Sequence, residues 1–223
     1  MNFPTIIQHF PFVKIHSDIG VLYVADFGHA GILAVRKDGN QELVVGVYED
    51  KPLKGPNSIY LSNGDIFFTD SGTFGETGLQ SATGSLFAIS NSPSGKILKP
   101  ISLANLAYPS GVAVSSDGKF MYDLTLLKNL CYTTLTNLSC SYVAEMMANR
   151  VLRFFQQPTG VYHGSVFYQL SGAVGPSCLA VDQEGNVYVG QFDVKESASE
   201  GSVLILSSAG KLKGGILHAY IHI

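Results

Sequence analysis

The chain has 223 residues, of which 46% are hydrophobic and 14% charged, with a net charge of −3 and a pI near 6.0. That charge balance gives no footprint for nucleic acid, which calls for a basic patch or stripe, and no window approaches 18 uncharged apolar residues, so no membrane span is expected. Charge is low against the usual ~25%, and 24 glycines exceed the usual ~7%, as expected of a sheet-rich chain with many turns that need positive φ.

The first residues carry Pro4 and Pro11 and lack a basic segment followed by a clean apolar one. No signal peptide is expected, and a cytoplasmic location is the default. Val-Leu-Tyr-Val-Ala-Asp at 21–26 and Gly-Ile-Leu-Ala-Val at 31–35 read as short strands. The turn Lys-Asp-Gly-Asn at 37–40 leads into a third run at 42–48.

A longer phrase begins at Gly55. It reads Gly-Pro-Asn-Ser-Ile-Tyr-Leu-Ser-Asn-Gly-Asp-Ile-Phe-Phe-Thr-Asp over 55–70. It is a Pro-led corner, a strand, an Asn-Gly turn and a second strand. Asn-Gly between apolar runs is a strong hairpin signal. A loop at 71–83 and a strand at 84–89 follow.

The phrase returns at 108–122 as Tyr-Pro-Ser-Gly-Val-Ala-Val-Ser-Ser-Asp-Gly-Lys-Phe-Met-Tyr. Its second strand then breaks and resumes at Val143. Removing residues 123–142 restores Lys-Phe-Met-Tyr-Val-Ala-Glu. The removed segment has no Gly and no Pro, six Leu and four Thr. It reads as a translated retained intron or gene-model error, or as a loop inserted between two strands. Val-Leu-Arg-Phe-Phe at 151–155 is a further strand.

A third full copy, Gly-Pro-Ser-Cys-Leu-Ala-Val-Asp-Gln-Glu-Gly-Asn-Val-Tyr-Val-Gly-Gln, spans 175–191, and 201–206 forms another strand. A strand repeat of roughly 40–50 residues marks a β-propeller blade. The expected class is all-β: one propeller domain over 1–223, with units at about 13–48, 55–102, 108–170 and 175–214. The cysteines Cys131, Cys140 and Cys178 have neither metal spacing nor a disulfide framework.

The copy at 108–122 joined to Val-Ala-Glu-Met-Met-Ala-Asn-Arg-Val-Leu-Arg-Phe at 143–154, with the matching runs at 22–28 and 66–72, resembles the gluconolactonase/regucalcin-like and strictosidine synthase-like propellers. The resemblance covers most of 13–214. It implies a six-bladed fold of which this chain carries about four blades, as a partial or truncated member. It also implies a small-molecule ligand in the central channel and a lactone or ester hydrolase, metal-dependent in the gluconolactonase-like branch. The alternatives are a degenerate relative, a non-catalytic NHL-type scaffold for protein binding, and an inactive truncated product.

In the gluconolactonase-like branch a divalent cation, calcium for instance, is held by oxygen ligands just after each corner proline. Carried over by position, these are Asn57, Ser110 and Ser177. Asn57 keeps the family's residue type. Ser110 stands where Asn is usual and Ser177 where Asp is often found, and the family's early Glu has no match. All three side chains also suit turn capping. Asp26, Asp70 and Glu145 close the second strand of three units. They read as a rim of carboxylates, or as acceptors that fix each blade corner. Glu76 in the 71–83 loop, and His218 with His222 near the end, are weaker candidates.

Overall fold

The computed structural model describes residues 13–18, 20–115, 140–157, 159–171, 175–195 and 198–219. The first sheet contains β1 (Val13–Asp18), β2 (Val21–Asp26), β3 (Gly31–Arg36) and β4 (Gln41–Val45), hydrogen-bonded in that order. A two-stranded hairpin of β5 (Val47–Tyr48) and β6 (Lys51–Pro52) links it to the next sheet. That sheet is β7 (Pro56–Ser62), β8 (Asp65–Asp70), β9 (Gly84–Ser92) and β10 (Gly95–Leu106). The third is β11 (Pro109–Ser115), β12 (Cys140–Glu145), β13 (Arg150–Gln156) and β14 (Tyr162–Gln169). The fourth is β15 (Pro176–Val181), β16 (Val187–Lys195), β17 (Ala198–Leu206) and β18 (Leu212–Ala219).

Each sheet is an antiparallel meander, and the first strands of successive sheets, β1, β7, β11 and β15, adjoin one another. This is the arrangement of a partial β-propeller, with four blades side by side and their first strands innermost. The tight turns follow residue chemistry. Asn63 and Gly64 both take positive φ, 51° and 84°, as a two-residue hairpin loop requires to match the strands' twist. Gly39 and Gly185, at 85° and 80°, are the positive-φ residues of the longer turns in blades 1 and 4.

Side chains alternate across each strand, so every inner blade feeds two cores. Ile66 and Phe68 of β8 point towards blade 1 and pack with Ala25, Ile32, Phe87 and Ile89. Phe67, between them, points towards blade 3 and packs with Val112, Val114, Val143 and Phe154. Tyr142 and Val151 of blade 3 in turn pack with Val187, Val189 and Leu206 of blade 4. Fully burying one such side chain stabilises the fold by about 1.5–3 kcal/mol. Blade-to-blade packing therefore outweighs any single polar contact.

The segment 123–142 needs one correction. Residues 116–139 lie outside the described residues, but Cys140, Ser141 and Tyr142 are the first half of β12. They pair with Ser115, Val114 and Ala113. Tyr142 is fully buried, its ring edge-on to Phe167 with centroids 4.9 Å apart. The end of the supposed insert thus completes the blade, with Tyr142 filling the place the sequence reading gave to Tyr122.

Candidate functional site

The two ends of the blades differ. One end carries the tight hairpins at 37–40, 62–65 and 182–187. At the other end the inner strands begin, and here lie the short turns 27–30 and 146–149, the long loop 71–83 and the links between blades. At this corner end the register is constant. Pro56 pairs with Asp70, Pro109 with Glu145 and Pro176 with Gln191. Immediately after each proline the register slips by one residue, so Asn57, Ser110 and Ser177 each occupy a bulge. A bulge re-aims its extra residue and recurs beside functional sites.

The three bulge residues have different partners. Ser110 is buried, and its hydroxyl donates to the Pro176 carbonyl at 2.8 Å and the Ala144 carbonyl at 3.4 Å. The Ser177 hydroxyl donates to the Gly190 carbonyl at 3.4 Å. Asn57 is half-buried and lies beside the Tyr108 phenol. Burial pushes the Tyr108 phenol above its ordinary pKa, and the Asn57 bond opposes that rise. Two neighbouring serines tie blades together. The Ser71 hydroxyl donates to the Pro109 carbonyl at 2.5 Å, and the Ser58 hydroxyl accepts the Val112 amide at 3.3 Å.

The carboxylates are buried and face backbone donors. Asp26 accepts the amides of Gly28 at 2.8 Å and His29 at 3.1 Å, with the His29 Nδ1 at 2.6 Å. Asp70 accepts the amides of Lys54 at 2.9 Å and Gly55 at 2.7 Å. Its desolvation raises its pKa, and these donors pull the other way. Glu145 accepts the Ala107 amide at 2.7 Å and the Arg150 Nε at 2.5 Å. In blade 4 Gln191 takes the same register position and donates to the Ser171 carbonyl at 3.1 Å. Asp70 and Glu145 are thereby placed as clamps on the links between blades, and Asp26 holds the β2–β3 turn of its own blade. Glu76 is exposed on its loop. His218 lies in β18, and His222 is outside the described residues.

No family model matches the chain. Its sequence is 29% identical over 214 residues to lactonase drp35 of Staphylococcus saprophyticus, covering 92% of this chain and 55% of that protein. The chain thus spans about half the length of this curated relative. Among solved structures, a gluconolactonase from Xanthomonas campestris superposes with a TM-score of 0.65 at 20% identity, covering 94% of this chain and 63% of the other. A chain of a nidogen/laminin complex gives a TM-score of 0.59 at 16% identity, covering 96% and 66%. These likenesses show the fold, a β-propeller of which this chain carries four blades.

The chemistry of the three corner positions decides whether they suit a dication. Calcium and magnesium take several hard oxygen ligands, usually with carboxylates among them. Asn57, Ser110 and Ser177 supply no carboxylate, and the Ser110 and Ser177 hydroxyls already donate to backbone carbonyls. Among the described residues no group of three His, Cys, Asp or Glu side chains is placed to hold a metal. The set as it stands does not fit a dication.

Two further residues at this end escaped the sequence reading. Tyr108 has φ of 54°, in the left-handed region that bulky residues avoid. The Phe74 ring meets the Tyr108 ring edge-on, centroids 5.1 Å apart, while remaining 65% exposed. The signal was present in the corner phrase, which begins with Gly at 55 and 175 but with Tyr at 108.

Proposed function

We propose that this chain is the substrate-binding arc of a lactone-hydrolase-like propeller, acting on a small uncharged lactone or ester. One observation carries the reading, the 29% identity to a lactonase across 92% of this chain. The corner end supports it, because the bulged residue Asn57 and the Tyr108 phenol lie together there as polar groups. Such a site suits an uncharged ligand that offers hydrogen-bond acceptors. Calcium enters this reading by resemblance alone, and no step is assigned to it.

A second reading is a propeller that binds without hydrolysing. It is favoured by the carboxylates. Asp70 and Glu145 each receive backbone amides at the blade links and are not left to activate water. Proton release from a panel of γ- and δ-lactones, followed in a pH-stat with and without added calcium, separates the two. Saturable hydrolysis well above the uncatalysed rate supports the hydrolase. Saturable binding with no turnover in either condition replaces it with the binding protein.

A further inference from the structure

We infer that Tyr108, Phe74 and Asn57 form a recognition site for a flat, uncharged ring bearing a carbonyl, in which the Phe74 ring meets the ring's face and the Tyr108 hydroxyl donates to its carbonyl. The first support is backbone geometry. In blades 2 and 4 the residue before the corner proline is Gly55 or Gly175, and in blade 3 it is Tyr108, held at φ 54°. A large side chain in a left-handed conformation is strained, and such strain persists where the surroundings over-determine it, often at ligand sites. Here the surroundings do so. The Tyr108 carbonyl accepts the Met146 amide at 3.1 Å, and the preceding Ala107 is bonded through both its amide, to Glu145, and its carbonyl, to the Met147 amide at 3.2 Å.

The second support is the wall beside it. Phe74 stands on the 71–83 loop, which is anchored at its base by Ser71 to Pro109, across its middle by the Thr77 hydroxyl to the Ser71 carbonyl at 3.1 Å, and at its far end by Lys54 Nζ to the Thr83 carbonyl at 2.8 Å. An exposed aromatic held on an anchored loop is a pre-formed surface, so little ordering opposes binding. The third is polarity. Asn57 lies beside the Tyr108 phenol, and that phenol has a proton to donate to an incoming acceptor. One apolar face and one donor define the ligand class. A polyol would bring hydroxyls that Phe74 cannot satisfy.

The inference builds on the small-ligand reading above but does not require hydrolysis. Acetophenone is therefore the probe, because it has the ring and the carbonyl but no ester bond, and its binding is independent of turnover. Titrated into the full chain and followed by amide shifts, it is expected to bind at least tenfold more tightly than glucono-δ-lactone. Phe74→Ala and Tyr108→Phe should each weaken it about 3- to 10-fold, the size of one ring contact or one hydrogen bond. Tyr108→Gly should remove it while leaving Tm the same or up to about 3 °C higher, since glycine accepts positive φ without strain. If Tyr108→Gly does not fold, or lowers Tm by more than about 5 °C, the tyrosine is a structural residue and the inference falls. It falls equally if Tyr108→Phe and Phe74→Ala bind acetophenone as the wild type does, or if the wild type prefers glucono-δ-lactone.

Discussion

At the corner of blade 2, Asp70 gathers the amides of Lys54 and Gly55, and Gly55 lies beneath the ring of Phe27. At the corner of blade 3, Glu145 gathers the amide of Ala107, and the glycine's place is held by Tyr108. The carboxylate clamp is common to both and keeps the blades aligned. The residue beside it differs, and that difference marks blade 3 as the place where the scaffold carries a side chain for something other than alignment. Blade 4 supplies a third case, with glycine retained at 175 and Gln191 in place of the acid.

The comparison is broken hardest at Gly175. A Cβ there would lie 2.0 Å from the Met146 carbonyl oxygen, a backbone atom that cannot swing aside. Gly175→Ala should destabilise by about 3 kcal/mol or more in urea unfolding. The equivalent change at Gly55 combines a φ of 147°, which L side chains rarely adopt, with a Cβ 2.4 Å from the Phe27 ring, and should also destabilise. The shared clamp comes next. Glu145→Ala leaves the buried Ala107 amide without its acceptor and Arg150 without its partner. A loss of about 1–3 kcal/mol is expected, again read by urea midpoint.

A smaller effect is set by pH. Asp70 titrates above its ordinary value in the folded chain because burial outweighs its amide donors. Its contribution to stability is therefore fully present below the unfolded-state value and is lost as pH rises through the raised native value. The urea midpoint of the wild type, compared with Asp70→Asn, should fall over that interval. A wild-type advantage that grows with pH there would reverse the sign. Smallest of all is Tyr108→Gly, near neutral in stability although it stands at the position where Gly175→Ala is severe.

Much of the fold was legible because its signals are local. Asn63-Gly64 fixes a hairpin through two positive φ values, and the alternation of Ile66, Phe67 and Phe68 assigns each ring to one neighbouring core. The corner phrase marked the inner strands for the same reason. The end of the 123–142 segment was not legible, because Cys140–Tyr142 and Phe120–Tyr122 offer equally good aromatic-ended strand residues, and only packing against Phe167 and Val187 chooses between them. The site was half legible. Asn57, Ser110 and Ser177 were found by position, but their partners lie far along the chain, as Ser110 to Pro176 shows. The strain at Tyr108 is a conformation, which composition does not encode.

The central claim is that small ligands meet the corner end of the arc and not its hairpin end. Mapping amide shifts of the full chain with a saturating δ-lactone tests it most directly. Perturbations centred on Asn57, Phe74 and Tyr108 are predicted, with residues 37–40, 62–65 and 182–187 unmoved. Shifts confined to those hairpins, or spread evenly over both ends, would contradict it.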